Sequence, residues 1–328
     1  MQETSSRRAF LSAAAISVAE GAFGQTQPPG SGIPLRPLGK TGVKVSMLGL
    51  GGHHAARPKE ESESFRIIHR AIAEGITFMD NAWEYHDGRA EEVMGKALAM
   101  DGKRKQVFLM TKVCDRDYEG AKRQLEESLK RFRTDVIDLW QFHECNYYSD
   151  PEYLVEKGGL KAALEAKKAG KIRFIGFTGH KSPQIHRRML ALDFAFDTCQ
   201  MPNNILDSGF VSFRHDFMPA AIQKGLGIIG MKGCAGDAGP IIDKVVTVEE
   251  CYRYCLSQPV SVQVVGLASE EHLNNALRMA REFKPMTAAE LKTIQQRIRV
   301  PMGDGRYEQF KTTQKYDSAH HRKQHGFA

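Results

Sequence analysis

The chain has 328 residues, of which 41% are hydrophobic and 26% charged, a balance typical of a globular protein with a sizeable core. Its net charge of +7 comes from lysines, arginines and acids interleaved along most predicted helices, which indicates a solvated surface rather than a nucleic-acid-binding face. No apolar run reaches the ~20 residues needed to cross a bilayer, so we expect no membrane span.

The first residues carry the pattern of an export signal. Arg7 and Arg8 precede an alanine-rich, weakly apolar stretch, and the AFG at 22–24 offers a small-x-small cleavage site. This segment resembles a twin-arginine signal, which implies transport of the folded protein by the Tat machinery, to the periplasm or beyond. A disordered basic N-terminus is the alternative. Residues 1–24 are therefore excluded from the predicted fold.

From Leu35 onward, short apolar runs alternate with amphipathic stretches. A hairpin is predicted around Gly39 to Gly42, followed by eight strand–helix pairs of the length of a parallel crossover unit. In chain order the predicted strands are VSMLGLGG, ITFMDNA, QVFLMTK, VIDLWQFH, IRFIGFTG, FDTCQMP, GIIGMKG and VSVQVVGL. The helices that follow them are SFRIIHRAIAEG, AEEVMGKALAM, EGAKRQLEESLKRF, GLKAALEAKKAG, PQIHRRMLAL, DFMPAAIQKG, TVEECYRYCLSQ and EEHLNNALRMAREF.

This order predicts an α/β fold, a (β/α)8 TIM barrel over residues 35–300 with an N-terminal β-hairpin. A doubly wound open sheet is the alternative, but GLGG after the first strand is too short for a G-x-G-x-x-G fingerprint. Residues 301–328 are predicted to form a polar C-terminal tail. No linker indicates a second domain.

Ionisable side chains stand where the second, third and fourth predicted strands end. Asp80 closes the second strand and Tyr85 lies in the loop after it, while Lys112 and His143 close the third and fourth strands. Because function in such a barrel lies at the carboxyl ends of the strands, we expect these four side chains to meet at one rim.

The chemistry of this set suits protonation of an oxyanion. A neighbouring ammonium would favour tyrosinate and lower the tyrosine pKa from about 10, making the hydroxyl a usable proton donor. Asp80 would hold Lys112 charged, and His143 would donate a hydrogen bond to a carbonyl oxygen. None of these residues can supply hydride, so a nicotinamide cofactor is implied.

Residues 35–283 resemble the aldo-keto reductase superfamily. The resemblance rests on the stretches DNAWEYHDGRAEEVMGKAL, MTK, SLKRFRTDVIDLWQFHE, AGKIRFIGFTGH, CQMP and LSQPVSVQVVGLASEEHL. It implies that the four side chains above form the family's catalytic tetrad, with Tyr85 as general acid and base. It also implies NAD(P)-dependent hydride transfer between a small-molecule carbonyl and the corresponding alcohol.

The resemblance further implies a set of cofactor-binding residues. They are Gly51, Gly52, His53, Thr178, Gly179, Gln200, Met231, Lys232, Gly233, Ser269 and His272. Thr178 and Gly179 stand where the family has Ser-Asn, and Asn203 stands where an aromatic residue often stacks on nicotinamide. The basic residue that usually grips the adenosine 2′-phosphate is missing after the eighth strand, so both NADP and NAD stay open.

Other residues near the strand ends are expected to contact the substrate, namely Trp83, His86 and His180. Trp83 would form a flat wall for a ring such as a sugar, or pack within its loop. No metal site is expected, because the histidines lack ligand spacing and the six cysteines form no metal motif. Cys114 and Cys145 are expected either to form a disulfide or to remain free thiols.

The tail aromatics suggest that residues 301–328 either are disordered or pack over the barrel mouth, as such segments do in the family. Two other functions stay open: a nicotinamide-binding sensor without turnover, and a metal-dependent hydrolase on the same barrel. Because an exported protein is not expected to meet a nicotinamide pool, we expect slow cofactor release.

Overall fold

The computed structural model describes residues 32–327, so the predicted export signal lies outside the described residues. The strands are β1 (Leu35–Pro37), β2 (Lys44–Ser46), β3 (Leu48–Gly51), β4 (Phe78–Asp80), β5 (Phe108–Val113), β6 (Ile137–Phe142), β7 (Ile172–Thr178), β8 (Thr198–Pro202), β9 (Gly227–Met231) and β10 (Val262–Val265).

The structure contains the eight helices that the sequence pattern predicts and others that it does not, including two in the C-terminal segment. The helices are α1 (Gly52–Ala55), α2 (Glu61–Ala73), α3 (Arg89–Ala99), α4 (Tyr118–Phe132), α5 (Asp150–Glu156), α6 (Gly159–Lys168), α7 (Pro183–Ala191), α8 (Phe213–Asp216), α9 (Met218–Gln223), α10 (Gly239–Ile242), α11 (Val248–Ser257), α12 (Glu270–Arg281), α13 (Ala288–Arg297), α14 (Gln309–Thr312) and α15 (Ala319–Gln324). Two 3-10 helices cover Met100–Gln106 and Asp207–Gly209. Among the described residues, no helix combines the length and apolar character needed to cross a membrane.

Strands β3 to β10 close into a parallel barrel, in which β10 pairs with both β9 and β3. This confirms the predicted (β/α)8 barrel. The antiparallel pair β1–β2 is the predicted hairpin. Leu38, in its turn, is fully buried in one apolar cluster with Phe78, Phe108 and Leu139 from the barrel strands. The hairpin therefore adds its apolar side chain to the barrel interior.

Each outer helix is held against the strands by one apolar face, and α4 shows why. Asp117 begins it, accepting a hydrogen bond from the backbone N–H of Gly120. Leu125, Leu129 and Phe132 recur at helical spacing and are buried in the main core. The helix is thereby fixed beside the strand ends that carry the candidate site.

The C-terminal segment packs against the barrel, the second of the two arrangements expected for it. Phe310 and His321 are fully buried. Lys311 donates hydrogen bonds from Nζ to Asp207 at 2.8 Å and to Glu308 at 2.9 Å, inside the fold. The aromatic and ionisable residues of this segment therefore belong to the folded protein.

Candidate active site

The register of neighbouring strands brings the four predicted side chains to one rim. Asp80 ends β4, Lys112 lies one residue before the end of β5, and His143 directly follows β6. Tyr85 lies in the loop after β4, where the backbone N–H of Trp83 donates to the carbonyl of Lys112 at 3.1 Å. This bond ties the tyrosine loop to the neighbouring strand.

Lys112 links the aspartate to the tyrosine. Its Nζ lies 2.8 Å from Asp80 Oδ1 and 3.3 Å from Tyr85 Oη, and it donates to the carbonyl of Asn81 at 2.6 Å. The lysine is only 1% exposed. The buried Lys112 ammonium is therefore paired with the Asp80 carboxylate and lies next to the Tyr85 phenol.

The tyrosine pKa differs from the sequence-based expectation. Burial raises the pKa of Tyr85 well above its ordinary value of 10.0, and the negative charges of Asp80 and Glu84 raise it further. This direction is opposite to the lowering expected from Lys112, because burial is the largest influence on the phenol. The phenol consequently stays protonated at neutral pH, the state that a proton donor needs.

His143 stands edge-on to Tyr85, with ring centroids 5.5 Å apart. Its Nδ1 lies 3.0 Å from Glu84 Oε1. Burial lowers the pKa of His143, while the contact with Glu84 acts in the opposite direction. For Glu84, burial would raise the pKa, but the hydrogen bond and charge of His143 leave it well below its ordinary value.

Sequence reasoning missed Glu84 as well as Glu144, which directly follows His143 in the chain. Burial raises the pKa of Glu144 well above its ordinary value, and the charge of Glu84 adds to the rise. Their positions in the sequence could have indicated them, since each carboxylate residue is adjacent in the chain to a predicted tetrad residue.

A cleft of about 580 Å³ opens beside Tyr85, between the β4 loop and the C-terminal segment. Predicted residues His53, Trp83 and His86 line it, together with Glu144 and His320. His53 stacks on His86 at 4.5 Å and meets Tyr85 edge-on at 5.2 Å. Several side chains with hydrogen-bonding groups therefore line the cleft beside apolar surface.

The Trp83 side chain also makes contacts outside the cleft. Its Nε1 donates to Glu127 at 2.6 Å, and the Arg131 guanidinium lies 5.5 Å from its ring centroid. His320 approaches the ring in a T-shaped arrangement at 5.6 Å. Both interpretations of Trp83 thus have support, because it lines the cleft and is also held within its loop.

His180 is not among the residues that line this cleft, although its partner Asp317 is. It is 3% exposed, and its Nε2 lies 3.1 Å from Asp317 Oδ1 and 3.1 Å from Asn146 Nδ2. Burial lowers its pKa to about 3. The structure therefore gives His180 a role in anchoring the C-terminal segment.

Gln200 is the predicted cofactor residue with an unused polar atom. Its Nε2 donates to Asp80 Oδ2 at 2.7 Å, whereas its Oε1 is buried without a hydrogen-bond partner among the described residues. A buried acceptor of this kind fits a ligand that donates an N–H, such as a carboxamide. Asn203 donates both hydrogen bonds of its amide within the fold, from Nδ2 to Gln263 Oε1 at 2.8 Å and to the carbonyl of Cys255 at 3.1 Å.

The remaining predicted cofactor residues lie at the same end of the barrel. Gly51 ends β3 and Gly52 begins α1, and a Cβ on Gly52 would lie 2.6 Å from Asn81 Nδ2. Thr178 ends β7 and is followed by Gly179, and Met231 ends β9 and is followed by Lys232 and Gly233.

The last of the predicted cofactor residues are Lys232, after β9, and Ser269 and His272 at the start of α12. The Lys232 ammonium lies 4.9 Å from the Tyr316 ring centroid, and burial lowers its pKa to about 8. Ser269 begins α12, where its hydroxyl accepts from the backbone N–H of His272. The first turn of that helix carries Glu270 and Glu271.

Cys114 and Cys145 are both buried, free thiols. Cys114 Sγ lies 3.9 Å from His143 Nδ1, whereas Cys145 Sγ contacts the carbonyl of Phe142 at 3.8 Å. Of the two states expected for this pair, the structure therefore has the reduced one.

The model of the Aldo/keto reductase family matches residues 47–236. The chain is 34% identical over 185 residues to "Aldo-keto reductase YhdN" of Bacillus subtilis (strain 168), covering 52% of this chain and 54% of that protein. It is 30% identical over 218 residues to "L-galactose dehydrogenase" of Arabidopsis thaliana, covering 60% of this chain and 64% of that protein. The chain thus spans less than two thirds of the length of these relatives.

Among solved structures, the fold is similar to that of "aldo-keto reductase AKR11C1 from Bacillus halodurans (holo form)". The TM-score is 0.69 at 24% identity, and the match covers 81% of this chain and 96% of that one. At this identity the likeness concerns the fold.

Proposed function

Because the chain belongs to the aldo/keto reductase family, we propose that this oxidoreductase uses a nicotinamide cofactor to interconvert a carbonyl and an alcohol. The observation that carries the proposal is the line from the buried Asp80 and Lys112 to the partly buried Tyr85, at 2.8 and 3.3 Å. Such a line holds a protonated phenol beside a fixed positive charge.

Tyr85 acts as general acid in reduction and as general base in oxidation. When its proton leaves, the Lys112 ammonium stabilises the tyrosinate, and Asp80 keeps the ammonium charged and oriented. His143 positions the carbonyl oxygen beside the phenol. A nicotinamide cofactor bound here would supply or accept the hydride.

The carboxamide of the nicotinamide is proposed to lie against Gln200, whose Oε1 is the buried acceptor without a partner among the described residues. Thr178 and the glycines after β3 would hold the adjoining part of the cofactor. NAD(H) is favoured over NADP(H), because Glu270 and Glu271 stand in the first turn of α12, after the strand where the family places its phosphate-gripping cation. The Glu271 carboxylate there would repel a 2′-phosphate, whereas Glu270 lies 3.7 Å from both Arg66 and Arg70.

The proposed substrate class is a polyhydroxylated carbonyl such as a sugar or its lactol. The support is the cleft, which is lined by His53, His86 and Glu144 among other polar groups. These groups offer partners for several hydroxyls. The Arabidopsis relative is named for a sugar, L-galactose, which points in the same direction.

We also propose that the protein is exported by the twin-arginine route and keeps its cofactor bound during transport. The support is the Arg7–Arg8 pattern and the absence of an expected nicotinamide pool outside the cytoplasm. Replacing both residues, Arg7→Lys and Arg8→Lys, is expected to leave the protein in the cytoplasmic fraction. Export of the variant at the wild-type level would contradict the proposal.

The experiment that tests the function is a panel of aldoses, matched against unsubstituted aldehydes of equal carbon number, with NADH and NADPH. The expected result is carbonyl-dependent oxidation of the nicotinamide, faster with the aldoses and with NADH. Stoichiometric cofactor binding without turnover on any carbonyl would instead favour the nicotinamide-binding sensor.

A further inference from the structure

Four side chains that can each ligate a metal ion meet beneath the C-terminal segment, beside the proposed tetrad. They are Glu84, Cys114, His143 and His321, and their candidate ligand atoms all lie within 4.8 Å of one another. They come from the loops after β4, β5 and β6 and from helix α15. Four separate segments leave no local ligand spacing, which is why the sequence pattern led us to expect no metal.

His321 is the observation that points to a missing partner. The ring is fully buried, yet neither of its nitrogens has a hydrogen-bond partner among the described residues. Its Nε2 lies 3.7 Å from Glu84 Oε1 and 3.9 Å from Glu144 Oε2, too far for hydrogen bonds to either carboxylate. A buried polar group without a partner is unfavourable, so this position suits an ion between the side chains.

The spacing of the cluster matches a tetrahedral site. Ligands bound at ~2.0–2.3 Å from a tetrahedral zinc ion lie ~3.3–3.8 Å from one another. The His143 Nδ1 is 3.0 Å from Glu84 Oε1 and 3.9 Å from Cys114 Sγ. These two separations bracket the tetrahedral spacing, so small side-chain adjustments would complete the coordination.

We propose that Glu84, Cys114, His143 and His321 bind one divalent transition-metal ion of the zinc class. Two imidazoles, a thiolate and a carboxylate form a donor set that zinc accepts in proteins, and the two anionic ligands offset the charge of the ion. Binding releases the proton of the Cys114 thiol to solvent, and no electron is transferred. All four positions are filled by protein, which is typical of a structural site.

The ion would act on the tetrad through one ring nitrogen. The His143 nitrogen that faces Glu84 and Cys114 is Nδ1, so a metal there leaves the ring proton on Nε2. The histidine is then fixed as a hydrogen-bond donor. Since His321 belongs to α15, the same ion would fasten the C-terminal segment to the barrel rim. The site is inferred from this geometry and does not depend on the proposed reaction.

The test is a Co²⁺ titration of the untagged, reduced, chelator-treated full-length protein. The expected result is one Co²⁺ per chain, with a thiolate-to-cobalt charge-transfer band and the strong visible bands of tetrahedral Co²⁺, all abolished by one equivalent of Zn²⁺. Absence of the thiolate band would overturn the proposal, whatever the catalytic activity of the protein.

Matched variants locate the ion. Cys114→Ser is expected to remove the charge-transfer band, and His321→Ala to weaken Co²⁺ binding by roughly 100-fold or more. The controls are Cys145→Ser, at another buried free thiol, and His320→Ala, at the preceding residue, which bonds Asp115 instead. Both controls should bind Co²⁺ like the wild type.

Circular dichroism of each variant separates loss of a ligand from loss of the fold. If His321→Ala disturbs the C-terminal segment, Cys114→Ser and Glu84→Gln still test the site at the barrel rim. Equal binding by Cys114→Ser and Cys145→Ser, or a band that persists in Cys114→Ser, would contradict the assignment.

Discussion

Lys112 and Asp80 form an ion pair that is almost closed to water, with side chains 1% and 4% exposed and an N–O distance of 2.8 Å. Removing one charge of such a pair leaves the other uncompensated in a medium of low dielectric constant. The residues proposed for catalysis are therefore also residues on which the fold depends.

The first prediction concerns this pair. Lys112→Met should lower the free energy of unfolding by about 3–5 kcal/mol, because Asp80 is left buried without its partner. The double variant Lys112→Met/Asp80→Asn should recover a large part of that loss. Urea denaturation of both variants is the measurement.

The control for this pair is Lys167→Met, which removes a partly exposed ion pair with Asp197. Its expected cost is below ~1 kcal/mol. If the single and double variants at the buried pair were equally destabilised, the interpretation of an uncompensated charge would be wrong.

Helix α7 carries a buried histidine that makes stability depend on pH. His186 is fully buried against Phe177, Phe213 and Phe217, and its Nε2 donates to the carbonyl of Gln200 at 3.2 Å. Burial lowers its pKa from 6.5 to about 4. The folded protein therefore holds this ring neutral, and unfolding takes up a proton between these two pH values.

The second prediction follows from the lowered pKa of His186. The contribution of His186 to stability is complete above pH 6.5 and is lost as pH falls towards 4. The loss is on the order of 3 kcal/mol. His186→Gln should flatten this part of the stability–pH curve measured by urea unfolding, whereas His215→Gln at an exposed position should not. Parallel curves for His186→Gln and the wild type would rule out this histidine as the cause.

The third prediction concerns helix α12 and the cofactor. Glu271 is exposed in the first turn of this helix, where the proposed adenosine end would lie. Glu271→Arg should raise the affinity for NADPH relative to NADH by roughly fivefold, the effect of an exposed ion pair worth ~1 kcal/mol. Fluorescence titration with both cofactors measures the ratio. Glu282→Arg, the same charge change at the other end of α12, serves as the control and should leave it unchanged.

The elements that could be predicted from sequence are those with strong periodicity. The alternation of buried strands and amphipathic helices predicted all eight units, and the barrel rule then placed Asp80, Lys112 and His143 at one rim. The tyrosine pKa could not be predicted, because it depends on burial and on the charges around Tyr85 in three dimensions. The contact of His180 could not be predicted for the same reason, since its partner Asp317 lies 137 residues away in the chain.

The C-terminal segment packs against the mouth of the barrel. Asp317 is its central anchor, with oxygens 3.1 Å from His180 Nε2, 3.0 Å from Lys181 Nζ and 3.2 Å from Asn146 Nδ2. Because Lys315, Asp317 and His320 also line the cleft, the anchor and the substrate site share one wall.

The fourth prediction is that Asp317→Ala loosens this wall. Trypsin should cut after Lys315 or Arg322 faster than in the wild type, and the KM for carbonyl substrate should rise while the far-ultraviolet circular dichroism is kept. The control is Asp304→Ala, which removes an exposed ion pair with Arg306 and a hydrogen bond from the backbone N–H of the same residue. Equal cleavage rates for the two variants would show that Asp317 does not hold the segment in place.

Hydride transfer to a carbonyl, with Tyr85 as the proton donor, can be followed in a single-turnover experiment. Wild type and Tyr85→Phe are mixed with nicotinamide cofactor deuterated at the transferring position and an aldose, and the product is analysed by mass spectrometry. We predict deuterium on the product carbon with the wild type, and a rate lower by about 10²–10⁴-fold with Tyr85→Phe at nearly unchanged cofactor affinity. Deuterium transfer at the same rate in both proteins, or tight cofactor binding with no transfer in either, would contradict the proposed reaction.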